Sequence, residues 1–221
     1  MVLEGRIRVN GQMAQSAGIE VDQWNDTIEI DGKIIDADKD SEKIYILLNK
    51  LPGYISSTAR YGEPTVMDLV PDLGTRLYPV GRLDKDTEGL ILITNDGDLT
   101  YRLTHPKHHI DKVYIARVSG DPTDDSLDKL RRGIMLEDGM TLPAVIQKEG
   151  DHIRVTIHEG RKRQIKRMFA AIGHRVIGLK RIQLGTIELG DLPPGKYRFL
   201  SKEEIESLSK FQFKLSFQKK F

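Results

Sequence analysis

Three carboxylates and two cations crowd into one short segment, Gly81-Arg82-Leu83-Asp84-Lys85-Asp86-Thr87-Glu88-Gly89, between two apolar stretches. A charged loop held by flanking strands is where a rigid scaffold presents side chains to a ligand. Asp, Thr and Gly are also ordinary turn formers, and on composition alone that is the stronger reading of Asp84. A carboxylate that works as a nucleophile must stay ionised while water is excluded, so it needs a cation close by. Arg82, Lys166 or Arg163 could supply it. Asp84 with Asp86 or Glu88 could instead form an acid/base pair of the kind used in glycoside hydrolysis.

Tyr114 lies in Lys112-Val113-Tyr114-Ile115-Ala116, a strand-like run that is apolar on both faces, as central strands are. It reads as a core residue, or as a ring at a cleft mouth that stacks on a base and moves a proton through its hydroxyl. His105, His108 and His109 cluster without matching carboxylates, so they read as a helix end and loop and not as metal ligands. With no cysteine, thiolate metal sites, disulfides and cysteine nucleophiles are excluded. Neither a phosphate-binding P-loop nor a dinucleotide fingerprint is present, which argues against nucleotide-driven or redox chemistry. No cofactor and no metal is expected.

Between Arg161 and Arg181 there are eight lysines and arginines and no acidic residue. Net charge is only +1, so this is a local cationic patch, offset by acidic stretches at 20–42 and 121–128. Such two-sidedness suits a polyanion. Within the patch, Ile165, Met168, Phe169 and Ile172 recur at helical spacing, which predicts a helix over 162–172 with one face in a core. Arg163 and Arg167 fall opposite that stripe; Lys166 falls on its flank, from which a side chain can reach inward. Gly160 lets the chain turn closely before it, so the cations at the helix start could sit beside a phosphate. A solvated basic face is the plainer reading.

Positioning these groups requires a sizeable scaffold, and 221 residues with 38% hydrophobic and 30% charged side chains suffice for a globular domain with a small appendage. Strands are expected near 44–48, 77–80, 90–94, 113–118 and 153–157, and helices near 96–104, 123–132, 162–172 and 202–209. Thr123 followed by two aspartates reads as a cap with an acidic first turn. The mixture lacks strict strand–helix alternation, so the class is α+β. Before it, Arg6–Val9 closes on Asn10-Gly11 and Thr27–Ile30 on Asp31-Gly32, both hairpin dipeptides. The polar run 36–42 marks a domain boundary. No stretch approaches the roughly 20 apolar residues of a membrane span and no apolar signal core opens the chain, so a cytoplasmic protein is expected.

Taken in order, five segments resemble the RsuA/RluB/RluE/RluF-type bacterial ribosomal RNA pseudouridine synthases: LNKLPGYISS (48–57), LYPVGRLDKDTEGLILITNDGDL (77–99), LTHPKHHIDKVYIARVSG (103–120), EGRKRQIKRMFAAIGHRVIGLKRIQLGTIEL (159–189) and LPPGKYRFLSKEEIESL (192–208). The resemblance implies a catalytic domain over 39–210, with a mixed, largely antiparallel sheet flanked by helices, and a tail over 211–221. Residues 1–38 look like part of the S4-like RNA-binding module that these enzymes share with a ribosomal protein, its N-terminal helices missing.

The implied reaction detaches uracil at nitrogen, rotates it and reattaches it through carbon. Asp84 would be the nucleophile, attacking sugar or ring; Tyr114 would stack on the base and Lys166 would pair with the aspartate. Arg82 would hold the flipped nucleotide, Leu179 would line the pocket, and Lys50, Arg161, Arg163, Gln164 and Arg167 would contact RNA. The implied partner is ribosomal RNA, large subunit favoured, or a ribosome assembly intermediate, bound by a monomer without a membrane. The opening motif reads Lys50-Leu51-Pro52-Gly53 where relatives usually place proline directly after lysine, a departure confined to the local turn. A non-catalytic RNA-binding or ribosome-assembly factor, or hydrolysis through Asp84 with Asp86 or Glu88, are the other readings.

Overall fold

The computed structural model describes residues 1–16, 18–19, 21, 26–34, 42–59 and 62–210. Its contacts divide the chain into units Met1–Glu42 and Lys43–Phe221. Most of the polar run at 36–42, and the tail 211–221, lie outside the described residues.

In the first unit β1 (Ile7–Val9), β2 (Gln12–Met13), β3 (Ile28–Ile30) and β4 (Lys33–Ile34) form an antiparallel sheet in the order β2-β1-β3-β4. Both hairpins turn where the dipeptides predict. Asn10-Gly11 and Asp31-Gly32 all have positive φ, between 52° and 77°, which is the mirror-image turn that matches strand twist.

The second unit is built on a nine-stranded sheet, ordered β11-β12-β8-β13-β7-β5-β15. Its strands are β5 (Tyr45–Lys50), β6 (Tyr78–Pro79), β7 (Glu88–Thr94), β8 (Lys112–Val118), β11 (Val145–Glu149), β12 (His152–Ile157), β13 (Val176–Leu184), β14 (Ile187–Glu188) and β15 (Tyr197–Phe199). The short β6 pairs with β7 and β14 with β13. Every pairing is antiparallel except β13 with β7. β9 (Met135–Leu136) and β10 (Gly139–Met140) form a separate antiparallel hairpin.

Among the described residues four α-helices cover the two faces: α1 (Gly97–Thr104), α2 (Asp124–Arg132), α3 (Gln164–Ala171) and α4 (Lys202–Ser209). Ile46, Leu48, Ile91 and Ile93 meet Leu127 and Leu130 of α2 and Ile165, Met168 and Phe169 of α3. Leu47, Leu90 and Leu92 meet Leu99 and Leu103 of α1 and Leu208 of α4. Strands β5 and β7 are thus buried on both faces, which is why they read as unbroken apolar runs. Thr123 caps α2 by accepting from Ser126 N, and Asp96 caps α1 by accepting from Leu99 N.

The periodicity locates β5, β6, β7, β8 and β12 but not β13, whose glycine and two cations interrupt its apolar pattern, nor the mostly exposed β11 and β15. The helix expected over 162–172 begins only at Gln164, because Arg163 adopts the left-handed conformation (φ 51°, ψ 32°). No helix among the described residues is long and apolar enough to cross a membrane.

Candidate active site

The loop between β6 and β7 is held in shape by residues 50–56. Lys50 is fully buried at the end of β5, and its Nζ donates toward four carbonyl oxygens: Thr87 at 2.7 Å, Leu51 at 3.0 Å, and Asp84 and Lys85 both at 3.2 Å. Gly53 N donates to Lys85 O at 2.7 Å, Ser56 Oγ exchanges hydrogen bonds with Leu83 N and O at 3.1 Å, and Thr87 N closes the turn onto Asp84 O at 3.0 Å. Burial pushes the Lys50 ammonium down to about 8, against the pull of Asp86 and Asp84. The expectation that Lys50 contacts RNA is therefore corrected: the side chain has no exposed surface and its protons are used by the loop backbone.

The outcome of that bracing is the placement of Asp84. Its carboxylate opens onto a cleft of about 440 Å³ lined also by Arg82, Lys112, Tyr114, Glu159, Arg163, Gln164, Leu179 and Arg181. Lys166 reaches it from α3, with Nζ 3.6 Å from Asp84 Oδ2. The same ammonium hydrogen-bonds Asp86 Oδ1, which the sequence reading had no reason to bring in as a competitor. Burial would raise the Asp86 carboxyl, but the hydrogen bond and charge of Lys166 outweigh it and hold that group below the usual carboxylate range. Asp86 and Glu88 do not line the cleft, so neither forms a facing pair with Asp84 across it.

Tyr114 is 7% exposed and Leu179 6%, both turned toward the cleft from adjacent strands β8 and β13. The cations divide into two groups. Arg82, Lys162 and Arg163 are exposed at the cleft and make no side-chain hydrogen bond or ion pair shorter than 4 Å among the described residues. Arg163 does so from the left-handed position, which costs a non-glycine residue about 1 kcal/mol or more and aims it away from a regular helix.

Arg161, Gln164 and Arg167 are engaged with protein partners, and the first two also line the cleft. Arg161 Nε pairs with Glu159 at 2.9 Å and its guanidinium also holds the carbonyls of Gly139 (2.9 Å) and Met140. Arg167 forms a bidentate pair with Asp138, at 2.8 and 2.9 Å. Gln164 is 3% exposed, donates to Glu159 at 2.6 Å and accepts from Arg161 N at 3.1 Å. These three, expected on RNA, tie α3 to the β9–β10 hairpin and to the start of the helix. Their types fit either role; Glu159 lies within five residues of its partners, whereas Asp138 comes from a hairpin 29 residues before Arg167.

Pattern reading also passes over Lys112 and Arg181. Lys112 Nζ donates to Ile110 O at 3.1 Å, and burial, with the Arg181 charge second, pushes it down to about 8. Arg181, counted in sequence with the surface patch, is 2% exposed. The one signal for it is alternation: Leu179 and Arg181 share a strand face, so an inward Leu179 requires an inward Arg181. His105, by contrast, ends α1 and opens the single turn Pro106–His108, the helix end and loop expected of it.

A carboxylate beside an ammonium, a floor with a tyrosine, a leucine and a buried arginine, and rim cations without partners among the described residues are what the fold brings together around this cleft. The family model for RNA pseudouridylate synthase matches residues 44–171, and the chain belongs to that family. It is 42% identical over 217 residues to an uncharacterized RNA pseudouridine synthase of Aquifex aeolicus, covering 95% of this chain and 86% of the relative. It is equally 42% identical over 216 residues to ribosomal large subunit pseudouridine synthase B of Bacillus subtilis (94% and 87%), and 38% identical over 208 residues to ribosomal small subunit pseudouridine synthase A of Escherichia coli (92% and 89%). A solved pseudouridylate synthase superimposes with a TM-score of 0.74 at 34% identity, covering 94% of this chain and 90% of that one.

Proposed function

We propose that this synthase converts a uridine of ribosomal RNA to pseudouridine, with Asp84 as nucleophile. The observation that carries the reading is the approach of Lys166 Nζ to 3.6 Å from Asp84, a residue that lines the same cleft as Tyr114. The ammonium sets a counter-charge beside the partly solvated carboxylate that attacks. Asp84 attacks C1′ as the C1′–N1 bond breaks and its electron pair passes to uracil. The base rotates, C5 attacks C1′ and expels Asp84; C5 then loses its proton and N1 gains one, so the net change is an isomerisation. Tyr114 stacks on the base, Leu179 packs against it, and Arg82 and Arg163 take phosphates of the flipped nucleotide, offsetting part of an unstacking cost of a few kcal/mol.

Large-subunit RNA is the favoured substrate, supported by the higher identity to the Bacillus subtilis enzyme than to the Escherichia coli one. Residues 1–38 serve as part of an RNA-binding module ahead of a catalytic domain over 39–210, and the protein acts as a cytoplasmic monomer. The test is release of tritium from ribosomal RNA labelled at uridine C5, by the wild type and by Asp84→Asn. Release by the wild type and none by the variant is the expected result. Binding without release by the wild type would leave an RNA-binding factor, and free uracil or strand scission would mean hydrolysis.

A further inference from the structure

Arg181 is buried at the floor of the cleft with most of its hydrogen-bonding capacity unused. Its Nε donates to Leu90 O at 2.7 Å, while Nη2 is enclosed without an acceptor. No carboxylate lies within ion-pair distance of it among the described residues. A guanidinium taken out of water without a counter-charge is among the costlier arrangements in a fold, and buried donors are almost always satisfied. The site nevertheless holds it firmly. Gly89 packs so tightly on its backbone that an added Cβ would lie 2.2 Å from Arg181 O, and the β13–β8 register sets Arg181 directly opposite Tyr114. Residues so opposed have Cβ atoms about 5 Å apart on the same sheet face.

Lys112, two residues before Tyr114 on β8, brings a second cation to this end of the cleft. The nearby carboxylates are committed: Glu159 to Arg161 and Gln164, and Asp111 to His158 at 2.5 Å. The floor therefore carries positive charge and free N–H donors beside the tyrosine ring.

We propose that Arg181 receives the uracil ring of the target nucleotide, donating to a base carbonyl oxygen and stabilising the negative charge that collects there as the C1′–N1 bond breaks. The inference rests on the isomerase reading above. The layout argues against a phosphate as its ligand: Arg82, Lys162 and Arg163 stand exposed at the cleft with no partners among the described residues, whereas Arg181 is enclosed next to the residue against which the base stacks. In the step, the electron pair of the broken bond enters the ring and spreads over O2 and O4, so a donor fixed at either oxygen acts more strongly on the transition state than on bound substrate.

The test compares wild type, Arg181→Met and Arg181→Lys under single-turnover conditions, on a ribosomal RNA transcript containing uridine and on one containing 5-fluorouridine. The readout is parent nucleoside remaining in nuclease digests. Fluorine withdraws electrons and stabilises the departing base without help from the protein. Arg181→Met should slow conversion of uridine by about 100-fold with RNA affinity within about threefold of wild type, in line with removal of one oxyanion donor. Its loss on 5-fluorouridine should be at least about tenfold smaller, and Arg181→Lys should fall between. Equal losses on both substrates, or a loss of affinity alone, would overturn the assignment. If Arg181→Met does not fold, Arg181→Lys carries the same comparison. Failure of the wild type to convert uridine would instead remove the isomerase reading.

Discussion

Lys166 Nζ stands between two carboxylates, 3.6 Å from Asp84 Oδ2 and hydrogen-bonded to Asp86 Oδ1. Asp86 is 61% exposed at its side chain, so its share of the pair is screened by water, whereas Asp84 is 32% exposed and faces the cleft. Asp86→Asn should therefore leave turnover within about threefold, because the ammonium then serves Asp84 alone. Lys166→Ala should lower the single-turnover rate by about 100-fold with little change in RNA affinity. Tritium release and filter binding measure the two quantities. A loss in Asp86→Asn as deep as in Asp84→Asn would make Asp86 the working carboxylate.

Lys50 concerns the shape of the loop and not its charge. Lys50→Met removes the donor shared by the carbonyls of Leu51, Asp84, Lys85 and Thr87, and each buried carbonyl left unmet costs about 1 to 3 kcal/mol. With partial relaxation, a total near 3 kcal/mol corresponds to a melting temperature lower by about 10 °C in a chain of this size. Activity at temperatures where the variant is fully folded should still be down at least about tenfold, because Asp84 sits in the loop that Lys50 holds. Calorimetry beside the activity assay separates the two losses; an unchanged melting temperature would sink the bracing role.

Much of this was legible in the residues themselves. The doubly buried strands β5 and β7 announce themselves as apolar runs, and Asn10-Gly11 and Asp31-Gly32 fix their turns by backbone sterics alone. The neighbourhood of Asp84, Tyr114 and Lys166 followed only from the order of whole motifs, since they meet through pairings between β7, β13 and β8 that no local pattern encodes. What stayed illegible was the division of labour among cations. Arg163 and Arg167 look alike on a helical wheel, yet among the described residues one has no partner at the cleft and the other is paired with Asp138 from a hairpin nearly thirty residues earlier.

That division predicts different salt behaviour. Arg82→Ala and Arg163→Ala should each weaken RNA binding and reduce the steepness of its salt dependence by about one unit, the signature of one lost phosphate contact. Arg167→Ala should leave the salt dependence unchanged and lower stability by less than about 1 kcal/mol, the worth of a largely exposed pair. Titrations of binding against salt, alongside thermal melts, distinguish them. A reduced slope in Arg167→Ala would mean that the Asp138 pair opens to RNA.

Lys112 makes a prediction in pH. Burial first, and Arg181 second, lower its ammonium from 10.5 to about 8 in the folded chain. Between those values the unfolded chain binds the proton and the folded chain does not, so Lys112 makes stability rise with pH from about 8 to about 10.5. Below about pH 8 both states are protonated and the full burial penalty persists. Lys112→Met should consequently be more stable than wild type at pH 7, by on the order of 2 kcal/mol, provided the methionine packs in the same space. The advantage should shrink steadily as pH climbs through the window and vanish near its upper end. Urea unfolding of both proteins at pH 7, 8.5 and 10 measures the difference; a constant gap would mean that Lys112 titrates at its ordinary value and that its burial carries no electrostatic cost.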